Sequence, residues 1–461
     1  MVTMENEEHE HLCEKVALLD NEEEEHEDGE ETQLLPSVTH NATRSTVQNL
    51  SVSLAAVFIV GKVTGVGILV LPNALSDTGA FGIIIALLFL LGTIYSGIRL
   101  AQSWTILCNI NDKYSKEISR NPYADMAFEA FGTKGRFWTT LILYIYIFAL
   151  CVTDLLMIAE NTEIIFSEFH IDVPLCSWLP VVTLVICPVT WFGTPKDFWL
   201  VGITSAVTSI IASVLILVGT SIDAGKYERI DVPVETWTFV AALGLIGFSF
   251  AGQSVFPTLQ HDMKEPAKFV RSVVYGYAGI ALLYFPTSIL ALWVYRAEFV
   301  ITGIENIADL FSSSAISIAV TLSVNIHLIL AIVIFTNTLY QDIEQVLNVP
   351  YEFNWKRCVV RTTFMVLALA MAATIPSFKT FLSIFGGPLT ALVNFLLPLG
   401  IYTRLCCLPK VPVKLSTFKI VINLCVMAFA VVAGTSSTIS GVYTIVNVNG
   451  TTIKPPCYVN V

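Results

Sequence analysis

A helix that crosses a membrane must keep every backbone N–H and C=O bonded within itself, because hydrocarbon offers no other partner. The stretch Gly61-Lys62-Val63-Thr64-Gly65-Val66-Gly67-Ile68-Leu69-Val70-Leu71-Pro72 is poorly built for that, although it lies inside the first long apolar segment of the chain. Each glycine weakens a helix by roughly 1 kcal/mol, and an opened helix exposes polar groups costing several kcal/mol apiece in lipid. Such an interruption persists only where it faces protein or a polar cavity. A second stretch, Gly247-Phe248-Ser249-Phe250-Ala251-Gly252-Gln253-Ser254-Val255-Phe256-Pro257, interrupts another apolar segment, and Gly252 precedes Pro257 by the same interval that separates Gly67 from Pro72. Paired interruptions of this kind mark the binding site of transporters built from inverted repeats. The simpler alternative is two glycine-rich contacts between packed helices, which explains the glycines but not the shared spacing to proline.

Composition agrees that the chain is a polytopic membrane protein: 54% of residues are hydrophobic, 13% are charged, and mean hydropathy is +0.70. The net charge of −12 belongs to one end of the chain. Residues 1–50 carry fourteen acids against Lys15 and Arg44, which leaves 23 acids and 23 bases in the rest. Residues 1–50 therefore read as a disordered, acidic cytosolic tail. Within it, Glu14 through Leu18-Leu19 and Glu30 through Leu34-Leu35 have the form of acidic dileucine sorting signals, which a clathrin adaptor would read. They favour an endolysosomal or vesicle membrane over the plasma membrane.

Apolar runs of about 20 residues fall near 52–75, 80–107, 136–160, 177–193, 198–221, 237–259, 270–295, 314–340, 359–377, 380–403 and 418–442. The expectation is an all-α transporter domain of eleven transmembrane helices over residues 51–445, followed by a short tail, 446–461. With the amino terminus in the cytosol, sixteen Lys and Arg fall in cytosolic loops and five on the other side, the bias that sets topology. The carboxyl terminus is then luminal or extracellular, and Cys176 and Cys457 share that side, where a disulfide is permitted. Breaks in the first and sixth spans divide the chain into five plus five helices and one extra C-terminal helix. Because five is odd, the two repeats are inverted.

If the first break opens near Thr64–Gly67, the half-helix after it presents free N–H groups and the positive end of its dipole, which suits a carboxylate. Gly65 and Gly67 admit a ligand to the backbone, and Thr64 adds a hydroxyl. In the sixth span, carbonyls around Phe248–Ala251 suit an ammonium group, with Ser249, Gly252 and Gln253 alongside. A carboxylate site facing an ammonium site describes a zwitterionic amino acid. No fixed acid near either break demands a cationic substrate, so small neutral amino acids or amines are expected. Tyr144, Tyr146 and Asn325 are polar groups on otherwise apolar spans, each a candidate ligand or a core hydrogen-bonder. Lys62, His327 and Asp154 are the candidate coupling groups, since an ionisable residue within a span is a functional candidate and imidazole titrates near the pH of acidic compartments.

The run from Lys62 to Ala74, with Gly79 and Phe81-Gly82 after it, resembles the first-helix signature of the amino acid/auxin permease family. The run from Phe248 to Pro257, leading to Met263-Lys264-Glu265-Pro266, is similar to its counterpart, nearest to the vesicular inhibitory amino acid and plant vacuolar transporter branch. The likeness spans about residues 45–442. It implies a LeuT-like core that moves amino acids with or against protons by alternating access. Substrate contacts carry over to Thr64, Gly65 and Gly67, and to Ser249, Gly252 and Gln253. Gln253 stands where vacuolar relatives tend to have histidine, so their pH behaviour does not transfer. No catalytic triad, P-loop, metal-ligand spacing or nucleic-acid motif is present in the sequence. The expected partners are an amino acid, protons and the bilayer, with a proton or other cation gradient in place of any cofactor. The alternative is an amino acid sensor that signals through the tail with little or no flux.

Overall fold

The computed structural model describes residues 50–459 apart from 112, 115–118, 120, 192–197, 228–229, 231, 351–352, 412–414 and 448–454. The dileucine pairs Leu18-Leu19 and Leu34-Leu35 lie outside the described residues. Helices α1 (Val52–Val63) and α2 (Gly67–Thr78) form the first span, bent by 59° at the break between them. There follow α3 (Ala80–Ile110), α4 (Pro122–Ser167), α5 (Leu175–Trp191), α6 (Phe198–Asp223), α7 (Thr236–Ser249), α8 (Phe256–His261), α9 (Phe269–Thr302), α10 (Ser314–Val346), α11 (Trp355–Thr374), α12 (Phe378–Cys406) and α13 (Thr417–Asn447).

Among the described residues, nine helices are long and apolar enough to cross a membrane, and the bent α1–α2 pair makes ten. The expected fourth span is α5. With 17 residues and a rise of about 1.5 Å per residue it is near 26 Å long, a little short of the hydrocarbon thickness. Local signals set the helix ends. Ser51 accepts from the Leu54 N–H, Asn354 from Lys356, and Gly303 closes α9 in the left-handed region at φ 70°. Gly79, at φ 61°, makes the whole turn from α2 into α3. The third span is longer than expected because a preceding helix of nearly three turns, beginning at Pro122, joins it at Gly132, which has φ 70° and ψ −160°.

The two breaks differ, although the glycine-to-proline spacing suggests equivalence. Gly67 is the first residue of α2 and Pro72 lies inside that helix. In the sixth span α7 ends at Ser249, Gly252 sits within the break, Gln253–Val255 form a 3₁₀ turn, and Pro257 occupies the first turn of α8. α12 carries two π-helical turns, Leu382–Gly386 and Leu392–Leu396, on either side of Gly387-Pro388. The second supplies Asn394, whose Oδ1 accepts from the N–H groups of Gly252 (3.1 Å) and Gln253 (2.9 Å).

α9 lies along α1 and α2, and α6 along α1, so the broken first span is held between α9 and α6, with α10 packed on α6 and α4. Leu50 pairs with Met263, which joins the start of the first span to the end of the sixth on what we call the amino-terminal face. On the opposite face a disulfide joins Cys176 at the start of α5 to Cys457, with Cα atoms 5.3 Å apart. The charges buried between α10 and α11 are satisfied: Arg361 donates to Glu344 at 2.7 Å, to the Thr190 carbonyl and to Asn337. Arg361→Met strands part of that network, so we expect a loss of about 3 kcal/mol, read as a lower unfolding temperature of the purified protein in detergent.

Candidate functional site

Two cavities meet at the first break. The inner one, about 450 Å³, is lined by Lys62, Gly65, Val66 and Gly67, by Phe248 and Ala251 of the second break, by Tyr146 and Asp154 of α4, and by His327 of α10. The outer one, about 1090 Å³ including its open mouth, is lined by Phe58, Lys62, Asn121, Tyr144, Asp262, Phe335 and Asp342. It opens on the amino-terminal face. Lys62 and Ala331 line both and mark the passage between them. Asp262 sits just beyond α8, where burial pushes its carboxyl up to about 6.

α2 begins at the inner cavity with no side-chain cap on its first amides. Its positive end and orphan N–H groups therefore line the cavity, the arrangement that favours an anion. Asp154 supplies the opposite charge beside the first break, where the sequence reading placed no fixed acid that demands a cationic substrate, and Lys62 lines the same cavity. Asp154 acts electrostatically on Lys62, whose ammonium also lies 4.4 Å from the centre of the Phe335 ring.

The opened carbonyls are not left bare. Tyr284 donates its hydroxyl to Val63 O and Tyr277 to Phe250 O, both at 3.0 Å. Sequence reasoning passed over these two residues, yet their spacing of seven puts both on one face of α9. Tyr284 also fills the space beside Gly67: a Cβ there would lie 2.2 Å from its oxygen. Gly65 is packed in the same way against His327, whose Nε2 would be 2.7 Å from an added Cβ. His327 Nδ1 lies 3.0 Å from the Ser205 carbonyl and 3.1 Å from the Ser209 hydroxyl. A carbonyl only accepts, so Nδ1 carries the proton of the neutral ring. Nε2 is then an open acceptor aimed at the break.

With this geometry in hand, the chain can be compared with known proteins. The family profile described as "Transmembrane amino acid transporter protein" matches residues 48–440. The chain belongs to this family. The relatives include "Amino acid transporter AVT1E" of Arabidopsis thaliana, 25% identical over 82% of this chain and 70% of that protein. Another is "Amino acid transporter ANT1" of the same plant, 25% identical over 83% and 91%. Among solved structures, MhsT in complex with L-phenylalanine superposes with a TM-score of 0.55 at 11% identity, over 86% of this chain and 98% of that one. This likeness establishes the LeuT-like fold. Members of the transmembrane amino acid transporter family are named as transporters, not enzymes.

In this family member several expected ligands face elsewhere. Thr64 and Ser249 donate their hydroxyls to carbonyls of their own helices, Val60 (2.7 Å) and Leu245 (2.9 Å). Neither lines the inner cavity. The amide of Gln253 points to α3, donating to Thr93 O (2.9 Å) and Ser96 Oγ (2.6 Å), and Gly252 packs against Val63. Asn325 accepts from Asn161, which in turn accepts from Asn306, a chain outside both cavities. Tyr144 lines the outer cavity and donates to Asp342 at 2.6 Å. Gly65, Gly67, Lys62, Tyr146, Asp154 and His327, each singled out in the sequence, line the inner cavity together.

On the opposite face the path is shut. Lys379 at the start of α12 meets Asp77 at the end of α2 at 2.5 Å. Its backbone N–H donates to Glu305 and its ammonium to Asn73, which donates to Ile304 O. Among the described residues these contacts cover the cavity on that face, while the outer cavity opens on the amino-terminal face. Gly67→Ala should cut substrate uptake by proteoliposomes strongly, because the added Cβ collides with the Tyr284 hydroxyl and forces the first break to shift. Adding Tyr284→Phe, which removes the clashing oxygen, should recover part of it.

Proposed function

We propose that this protein is a proton-coupled secondary transporter of small neutral amino acids that works by alternating access. The observation that carries the reading is the inner cavity, where an uncapped helix start and Lys62 face Asp154 within reach of both breaks. A zwitterion has a place there for each of its charges. The names of the relatives support the substrate class.

The bias of basic residues assigns the amino-terminal face to the cytosol. On that assignment the structure is inward-facing, with Asp77–Lys379 as the closed outer gate. Opening outward separates that pair and draws α1 and α8 together across the outer cavity. His327 is the proposed proton carrier. Protonation turns Nε2 from an acceptor into a donor aimed at the carbonyls of the break, which ties α1 to α10 and α6 and releases it when the proton leaves. The acidic tail with its two leucine pairs directs the protein to an endolysosomal or vesicle membrane.

The test is uptake of a mixed set of labelled neutral amino acids by proteoliposomes, with and without an imposed proton gradient. Gradient-driven accumulation is the expected result. Binding without flux in either direction would overturn it and favour a sensor. In His327→Gln, gradient-driven accumulation should vanish while downhill equilibration persists. Alanine at Leu18, Leu19, Leu34 and Leu35 should move the protein to the cell surface, as followed by surface biotinylation; an unchanged distribution rejects the sorting role.

A further inference from the structure

Lys62 is the one basic residue within the first broken span, and the transport reading places it at the site without saying what it does when no substrate is bound. It lines both cavities, so its ammonium stands where the substrate must pass. Among the described residues the Phe335 ring lies 4.4 Å from its ammonium, and Asp154 and His327 of the inner cavity lie within reach of its charge. None of these is a directional bond of the kind that fixes Arg361. Asp154 is buried, and it is the one carboxylate lining the inner cavity among the described residues.

We infer that Lys62 is an internal stand-in for the substrate's ammonium group. In the empty site Lys62 compensates Asp154, so the cavity holds one cation and one anion. A zwitterionic amino acid inserts into that pair. Its ammonium takes Asp154, and its carboxylate takes Lys62 and the uncapped amides at the start of α2. Charge is balanced before and after, and no bond is made or broken. An amine without a carboxylate displaces Lys62 and leaves it uncompensated. A hydroxy acid meets Lys62 and leaves Asp154 uncompensated. A buried charge without its partner is heavily penalised, so the pair selects for both ends of the ligand at once. The same pair lets the empty carrier reorient, since the inner cavity does not then carry a bare carboxylate through the closed state.

This inference rests on the transport reading, and the test separates the two. Proteoliposomes are assayed for net uptake of the mixed labelled neutral amino acids into empty vesicles, and for exchange into vesicles preloaded with the same unlabelled mixture. Wild type should do both. Lys62→Met should lose net uptake by about tenfold or more and lose less of its exchange measured at saturating substrate, because exchange never requires the empty carrier to return; the missing carboxylate contact should show as a higher half-saturating concentration. Lys62→Arg, which keeps the cation, should retain both. If Lys62→Met keeps both modes in full, or loses both to the same degree at saturating substrate while still folded, the inference fails and the transport reading stands. If wild type shows neither mode, the transport reading fails and takes the inference with it. A second measurement needs no variant: competition of wild-type uptake by L-alanine, L-lactate and ethylamine, and by their phenyl-bearing counterparts. In each set only the amino acid should compete well. Equal competition by the hydroxy acid or the amine overturns the inference.

Discussion

An opened helix inside a bilayer has to find partners for its freed backbone groups, and much of this molecule is arranged to provide them. Val63 O and Phe250 O, one at each break, accept from Tyr284 and Tyr277 of the same helix. The amides of Gly252 and Gln253 are held by Asn394, which a π turn of α12 swings into reach. What remains unoccupied is selective: the start of α2 keeps its uncapped amides, and they line the inner cavity. Two carbonyls and two amides of the breaks are thus supported from other helices, while the first amides of α2 have no side-chain cap.

Charge follows a similar rule at three depths. Arg361 and Glu344 are locked near the amino-terminal face by several directional bonds. Lys379 and Asp77 close the opposite face, with Asn73 and Glu305 around them. Between these, Lys62 and Asp154 interact within an open cavity, and the ammonium's other neighbour is an aromatic ring. The first pair belongs to the scaffold. On the proposed cycle the second is the gate, and the third is parted by a ligand that brings its own two charges, since only a site that costs little to open can be reset in each cycle.

His327 connects these arrangements. It hangs on α10, is oriented by Ser205 and Ser209 of α6, and meets α1 at Gly65. Gly65 is glycine because the imidazole needs the volume that a side chain would take, and the same holds for Gly67 and Tyr284. The two explanations first weighed for these glycines, close packing and ligand access, therefore both apply at one place: the residues pack against a partner and also line the cavity.

The spans, the two interruptions and the family likeness were legible in the sequence because hydropathy and glycine's backbone freedom are local properties, readable from each residue alone. The grouping of Lys62, Asp154 and His327 was legible in part, since an ionisable residue within a span is conspicuous. The orientation of the polar side chains around the breaks was not. Thr64 and Ser249 lie next to opened backbone and look like ligands, but each returns its proton to its own helix, and Gln253 faces α3. Tyr277 and Tyr284 look like ordinary span aromatics and yet cap both breaks. Equal glycine-to-proline spacing suggested equal geometry, while the chain bends at different points relative to each proline. Sequence alone determined where the helices must open. Which groups face the opening was decided by the tertiary structure, because side-chain direction depends on where the chain bends and on which distant helix fills the space beside it.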